Sequence, residues 1–328
     1  IGLFMVWLIP LDFLGGFFLP KRYGKSFQSF RDWFSGYLTA VFSQGVLFFS
    51  FGALIILSAQ AFGLFGAMIV VSLCTVACFL VRDWLILRRG VTSDRSAKKL
   101  VDAISLIQTW NIFVPRTVIV EHQDIGFTGG IVGFGKNAQI IVPKAWLAFS
   151  REQLATTIAR RAVALDSGSY TLGLILAFVW NVSGFLLCTM FPEAGLASVA
   201  QLMTTACAFT LWSFLGLLVL PSVSRSASLQ VDQTLVERGM PEQLIEKTAF
   251  SMDQLQDGEP ERPALIETIF HPVPSVSSRN QAMPIRGWTA WNAARTTLFF
   301  SWACLGFLSR SVHCNVGRPE LWTMLPSD

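Results

Sequence analysis

Three histidines are the first candidates for metal chemistry in this chain: His122, His271 and His313. A zinc site built on one helix needs two histidines four residues apart, so that both imidazoles face the same ion. No pair in this sequence has that spacing. The residues around His122 predict a solvated loop beside a strand, and His313 lies in the C-terminal tail. We therefore predict no metal and no other cofactor.

Other residue types also lack the patterns of known catalytic sites. Asp257, Glu259 and Glu261 lie in a polar, proline-containing stretch that predicts a solvated loop rather than an acid–base pair. No Gly-x-Ser-x-Gly elbow accompanies a histidine and an acid. The run Gly129–Gly135 lacks the Gly-Lys-Ser/Thr ending of a phosphate loop, so it predicts a β-hairpin with permissive glycines instead.

Composition indicates that lipid is the solvent for much of the chain. Hydrophobic residues make up 52% and charged residues 14% of 328 residues, whereas soluble domains carry about 25% charged residues. The net charge of +4 is small and scattered. We therefore predict the lipid bilayer as a partner and no nucleic acid. Five of the six cysteines lie in apolar segments, which favours buried small hydrophobes over disulfides.

Uncharged stretches predict four to six membrane spans, since a span needs roughly 20 apolar residues. The candidates, in chain order, are the segment 1–19, two spans within Gly36–Val81, then Leu172–Met190, Ala200–Leu220 and the shorter Thr297–Leu308. The turn within the first pair is predicted at Ala59–Gly63. The span 200–220 is predicted to end at Pro221, because proline cannot donate a helical hydrogen bond.

Lysines and arginines flank the same ends of these spans, and the turns at 59–63 and 191–199 contain none. By the positive-inside rule, these basic ends are cytoplasmic. The predicted organisation is an N-terminal anchor or interfacial segment with a basic loop at 1–35, a transmembrane hairpin at 36–82, a split cytoplasmic domain at 83–170 and 222–290, a second hairpin at 171–221, and a candidate last span with a tail at 291–328.

Local patterns predict the elements of the split domain. Helices are predicted at Ser93–Trp110, Ser150–Asp166, 222–239 and 241–256, a strand at Pro115–Glu121, and a hairpin at Gly129–Pro143 with its turn near Gly135–Asn137. Ser150 and Gln153 have the spacing of a capping box at the start of the second of these helices.

Three runs of residues, in this order, carry a resemblance to a known family. They are Phe127–Ile131 with Ile140–Pro143, then Ser150–Ala159, then Ser224, Arg225 and Asp232 followed by Phe270, His271, Pro272 and Arg279. Over roughly 36–280 the chain resembles the membrane-bound zinc metallopeptidase family of HtpX and the CAAX prenyl endopeptidase. The runs are similar to its edge-strand hairpin, the start of its catalytic helix, and its Ser-Arg-x-x-Glu-x-x-Ala-Asp and His-Pro…Arg motifs. The resemblance implies a mainly α fold, namely a polytopic transmembrane helix bundle with a small α+β cytoplasmic peptidase-like domain.

The residues that perform the chemistry of that family are replaced in this chain. The family uses a His-Glu-x-x-His helix and a later glutamate to hold zinc, with the first Glu as general base. The resemblance places Arg160 and Ala164 at the histidine positions, Arg161 at the base position and Ser228 at the third-ligand position. A guanidinium cannot coordinate a metal, alanine has no donor atom, and one serine cannot hold zinc. We predict no catalytic residue and no enzyme activity.

The surrounding family positions are retained: Arg225, Asp232, His271, Pro272 and Arg279. His271 matches a position that is not a zinc ligand, which favours a structural role. We hypothesise that Arg160 or Arg161 pairs with Asp232 and so replaces a structural metal bridge with a bidentate ion pair. The alternative is that both arginines face solvent or lipid headgroups.

The family positions around the site are retained while the catalytic ones are replaced, which favours a pseudopeptidase. We predict that it acts as a scaffold, assembly factor or accessory subunit of a hetero-oligomeric membrane complex. We predict a multi-pass protein of a bacterial inner membrane. Gly129, Gly130 and Ile131 are the candidate peptide-binding edge, because the parent enzymes extend a sheet edge with substrate backbone. Two alternatives stay open: a zinc metalloendopeptidase with an unorthodox site, and a transporter or channel, against which the nearly uncharged spans argue. The 28 Phe and 11 Trp fit contact with lipid, or with pigments or quinones of a partner complex.

Overall fold

A computed structural model describes residues 2–24, 26, 28–88, 94–121, 127–256, 258–280, 289–308 and 316–318. His122, Asp257, His313 and Cys314 lie outside the described residues, so the predictions for them stay predictions. Within the described part the chain forms two compact units. The first draws on Ile1–Ile86, Ala177–Gly216 and Thr296–Met324, and the second on Leu87–Leu176 and Leu217–Arg295.

The helices, in chain order, are α1 (Gly2–Phe13), α2 (Leu19–Arg22), α3 (Phe30–Arg88), α4 (Asp94–Thr109), α5 (Arg151–Asp166), α6 (Ser169–Cys188), α7 (Val199–Glu237), α8 (Glu242–Gln256), α9 (Ala264–Phe270), α10 (Val276–Asn280) and α11 (Ala293–Phe300). A π-helical turn, Leu14–Phe18, joins α1 to α2. Among the described residues three helices are long and apolar enough to cross a membrane, namely α3 from Phe30 to Trp84, α6 and α7.

Helix α3 is interrupted at Gly63, whose backbone has φ 64° and ψ −162°. Glycine adopts a positive φ without steric cost. The Ser58 hydroxyl oxygen lies 3.2 Å from the point where a Cβ on Gly66 would sit, although these residues would be about 12 Å apart along a straight helix. The chain therefore bends sharply here, at the last residue of the turn predicted at Ala59–Gly63.

The core of the first unit joins the two halves of α3 with α6 and α7. Its fully buried apolar side chains include Phe48, Ile55, Ala67, Val71, Phe185, Ala206, Phe209 and Cys304. Asn181 is buried in the middle of the apolar helix α6, and its amide donates to the backbone oxygens of Ala177 and Thr297. These bonds satisfy the N–H donors of the amide, which would otherwise be costly in an apolar interior.

The helices of two predicted spans differ from what the sequence suggests. Helix α7 does not end at Pro221 but continues to Glu237 with the proline inside it. Proline removes a single N–H donor, and the many remaining bonds of a 39-residue helix tolerate that loss. The candidate last span at Thr297–Leu308 is not a spanning helix, because α11 has 8 residues. That length covers about 12 Å, against about 30 Å of hydrocarbon.

The second unit contains a three-stranded sheet of β1 (Thr117–Val120), β2 (Gly130–Val132) and β3 (Gln139–Pro143). The order is β1-β3-β2, with β1 parallel and β2 antiparallel to β3. The predicted hairpin is confirmed, and a short 3-10 turn at Gly135–Asn137 joins its strands. The predicted helix after Ser150 is confirmed with its capping box intact.

Candidate functional site

Helix α5 carries three of the four positions that the sequence resemblance aligns with catalytic groups. Ser150 caps the helix by accepting a hydrogen bond from the Gln153 backbone N–H, and the Gln153 side chain accepts in return. The helix packs against α4, α8 and β3. Every residue from Leu154 to Ala164 is buried. Arg160, Arg161 and Ala164 are therefore enclosed by the second unit.

Arg160 and Asp232 form a buried ion pair that joins α5 to α7. The Arg160 Nε donates to Asp232 Oδ1 at 2.7 Å, and Arg279 donates to the other carboxylate oxygen. The Arg160 guanidinium also lies 5.7 Å from the centroid of the Trp291 ring. The hypothesis that one arginine pairs with Asp232 is confirmed, with Arg160 as that arginine. The alternative in which both face solvent or lipid headgroups is wrong.

Arg161 faces the sheet instead and has no exposed surface. Its Nη1 donates to the Ile141 carbonyl at 2.7 Å, and its Nη2 donates to the Thr128 carbonyl. The guanidinium lies 4.8 Å from the centroid of the buried Trp146 ring, within the range of a cation–π interaction. The Arg161 side chain thus links α5 to β3 and to the residues before β2.

The remaining two positions that the resemblance aligns with zinc ligands are also enclosed. Ala164 and Ser228 are buried, and Ser228 lies one helical turn before Asp232 on α7. Two guanidiniums, a methyl group and a single hydroxyl do not form a donor set for zinc. The described residues contain no group of three His, Cys, Asp or Glu side chains that could hold a metal ion.

Arg225 and His271 meet through the backbone. The Arg225 Nη1 donates to the carbonyls of Thr268 at 3.1 Å and His271 at 2.9 Å, and also to that of Glu267. A guanidinium that gathers three carbonyls at a helix end satisfies groups that the helix itself leaves open. Arg225 therefore fixes the end of α9, and the half-buried Pro272 follows this point.

Glu267 forms a second buried anionic centre, which the sequence did not single out. It accepts hydrogen bonds from the Ser275 backbone N–H, the Ser275 hydroxyl and the Ser278 hydroxyl, each at 2.8 Å. Burial by itself raises the pKa of Glu267, but these hydrogen bonds and the nearby Arg225 charge outweigh it and hold the pKa below its ordinary value. The carboxylate ties α9 to the start of α10.

The candidate peptide-binding edge lies on β2, which is at one side of the sheet. Gly129, Gly130 and Ile131 are all buried. The Tyr170 hydroxyl lies 3.3 Å from the carbonyl oxygens of both Ile131 and Gly133, to which it can donate. Part of the hydrogen-bonding capacity of this strand is therefore already used within the chain.

Sequence reasoning did not identify Tyr170, Trp146 or Trp291 as neighbours of these positions. A tyrosine at the start of an apolar helix and two tryptophans in a chain with 11 carry no distinctive pattern. Their positions depend on packing. No family model, no curated protein and no solved structure matches this chain.

Proposed function

We propose that this protein is a catalytically inactive, membrane-embedded member of the zinc metallopeptidase family, and that it serves as a scaffold or accessory subunit of a membrane protein complex. The observation that carries this proposal is the buried cluster of Arg160, Asp232 and Arg279. It lies where the resemblance places a zinc ion, and it is built from side chains that exclude one.

The ion pair replaces the structural role of the metal, which is to hold two helices together. In the parent family zinc joins the helix of its two histidine ligands to the helix of its glutamate ligand. Here Arg160 on α5 and Asp232 on α7 make that connection directly. A second guanidinium, from Arg279, shares the same carboxylate. The link between the two helices is kept, but the zinc ion that would act as a Lewis acid is not. This is expected if the protein needs the fold and not the catalysis.

The membrane placement is part of the proposal. The two halves of α3, 30–62 and 64–88, are each longer than the roughly 20 residues needed to cross a bilayer. With α6 and α7 they make four spans, and the second unit then lies on the basic, cytoplasmic side. We propose the inner membrane of a bacterium as the location. Reporter fusions after residues 63, 110 and 195 test this topology: we expect 110 on the cytoplasmic side and the other two outside.

Rebuilding the metal site tests the family resemblance. The fourfold variant R160H/R161E/A164H/S228E restores all four family positions. We expect about one zinc per chain in this variant and no stoichiometric zinc in the wild type, by elemental analysis of protein purified in mild detergent. The matched control R160H/R161E/S228E lacks one ligand and binds zinc more weakly.

The outcomes separate the two parts of the proposal. Stoichiometric zinc in the wild type overturns the non-enzymatic role and favours a metalloendopeptidase with an unorthodox site. A folded fourfold variant that binds no more zinc than its control contradicts the family resemblance, because its four positions then do not converge.

Copurification tests the role as a subunit. After chemical cross-linking in native membranes and solubilisation in mild detergent, we expect integral membrane proteins in stoichiometric amounts beside this chain. Gly130→Pro removes a backbone donor from β2 and should reduce capture of a partner that adds to this edge. Tyr170→Phe frees the carbonyls of Ile131 and Gly133 and should increase it. Recovery of the chain alone contradicts the subunit role.

A further inference from the structure

Helix α9 has the inverse of the usual amphipathic arrangement. Its acidic residue, Glu267, is buried. Its large apolar residues face outwards, with Leu265 exposed by 71%, Ile266 by 46% and Phe270 by 55%. At 100° per residue these three side chains and that of Ile269 lie on one face of the helix. A surface helix in water shows the opposite pattern, with apolar residues inward and charges outward.

The position of α9 along α7 is fixed by Arg225, which donates to the carbonyls of Glu267, Thr268 and His271. The apolar stretch of α7 ends at Leu220. Arg225 follows five residues later, about 7.5 Å further along the helix axis. If the apolar stretch of α7 crosses the hydrocarbon, Arg225 lies in the headgroup layer, which is about 5–8 Å deep on each side.

We infer that α9 is an interfacial helix that inserts Leu265, Ile266 and Phe270 into the hydrocarbon edge of the leaflet in which α7 ends. The occupant of this apolar face is lipid, because the Arg225 clamp holds α9 in the headgroup layer, about 7.5 Å from the end of the apolar stretch of α7 and within reach of the headgroup/acyl boundary. Helix α9 contains no basic residue, and the acidic residues Glu259 and Glu261 precede it. Insertion is therefore driven by burial of apolar area rather than by attraction to anionic headgroups. The inference rests on the membrane placement of α7 proposed above.

Photo-cross-linking to lipid tests this contact. The full chain is prepared with benzoylphenylalanine in place of Phe270, reconstituted into phosphatidylcholine nanodiscs and irradiated, and lipid adducts are measured by intact-protein mass spectrometry. Two positions on α7 serve as references. Leu211 is exposed by 72% within the apolar stretch, and Val236 is exposed by 41% but lies about 24 Å past Leu220 along the helix.

We expect adduct yields at Phe270 close to those at Leu211 and about tenfold above those at Val236, because only the first two contact acyl chains. The same probe at Leu265 gives a second measurement if the Phe270 variant does not fold. Failure of Leu211 to label overturns the membrane placement of α7. Labelling at Leu211 with yields at Phe270 and Leu265 no higher than at Val236 overturns the interfacial role of α9. In native membranes, cross-links from Phe270 to protein instead of lipid overturn it as well.

Discussion

Two ion pairs connect α5 with α7 or with the residue that follows α7. They differ in burial, and the buried one has a second guanidinium, that of Arg279, on its carboxylate. Arg160 and Asp232 meet at 2.7 Å with both side chains buried, while Arg238 and Asp166 meet at 2.7 Å near the ends of the same helices with both side chains partly exposed. Because the residue types and the distance are matched, the comparison shows what burial and the second guanidinium of Arg279 add. It also distinguishes the buried cluster around Asp232 from an ordinary surface contact.

The physical difference lies in what happens when one partner is removed. A buried charge that loses its partner has no water to replace it, so breaking such a pair costs about 3–5 kcal/mol. An exposed pair is screened by solvent and contributes about 0–1 kcal/mol. The buried pair therefore constrains how α5 and α7 are joined, and the exposed pair adds little to that constraint.

The largest expected effect is that of Asp232→Ala. It leaves the guanidiniums of Arg160 and Arg279 buried without their shared carboxylate, so the free energy of unfolding should fall by about 3–5 kcal/mol. The measurement is denaturant unfolding in mild detergent, followed by tryptophan fluorescence. The triple variant R160M/D232L/R279M removes all three charges together and should recover most of the loss. A decrease below about 1 kcal/mol for Asp232→Ala contradicts the comparison.

Arg161→Met is expected to come next. The substitution keeps apolar volume against Trp146 but leaves the carbonyls of Ile141 and Thr128 without their charged donor. The free energy of unfolding should fall by about 2–3 kcal/mol. Arg151→Met is the matched control, because Arg151 is exposed while it donates to the Asp102 carbonyl and the Ser105 hydroxyl. That exposed change should stay within about 0.5 kcal/mol, and equal losses would show that burial does not decide the effect.

Glu267 and Glu152 extend the comparison of buried and exposed charges to the pH dependence of stability. The pKa of Glu267 in the folded state is below the ordinary value of 4.5. Its contribution to stability is therefore complete above that value and is lost as the pH falls below it. The wild type should lose stability in that acidic range, and Glu267→Gln should flatten the loss. Glu152, whose exposed carboxylate also has a lowered pKa because of hydrogen bonds at the α5 N-terminus, supplies the control Glu152→Gln, with a smaller change in pH dependence. The same change in slope for both variants would argue against a special role for the buried carboxylate.

The smallest expected effect is that of Asp166→Ala. It removes the exposed partner of Arg238, so the free energy of unfolding should change by about 0–1 kcal/mol. Salt at high concentration should abolish even this difference, because exposed charges are screened. A loss comparable to that of Asp232→Ala would show that the two pairs are energetically alike and would remove the basis for assigning the buried cluster around Asp232 a special role.

Features that depend on neighbouring residues were accessible from the sequence. Ser150 and Gln153 predict the start of α5 because a capping box involves one turn of backbone. The glycines and Asn137 predict the hairpin turn, and Gly63 lies where the uncharged stretch needs a break. Pro221 misled the prediction of a helix end, because the sequence shows the missing donor but not the packing that tolerates it.

The candidate site likewise has features that the local sequence determines and others that depend on tertiary packing. The sequence by itself determined that Arg160, Arg161, Ala164 and Ser228 are not the residue types of a zinc site, since that needs no structure. Only the tertiary structure decided that Arg160 rather than Arg161 meets Asp232. Consecutive residues on a helix point about 100° apart, so one guanidinium reaches α7 and the other reaches the sheet. Which direction each takes depends on helices and strands far away in the chain, and no local pattern contains that information.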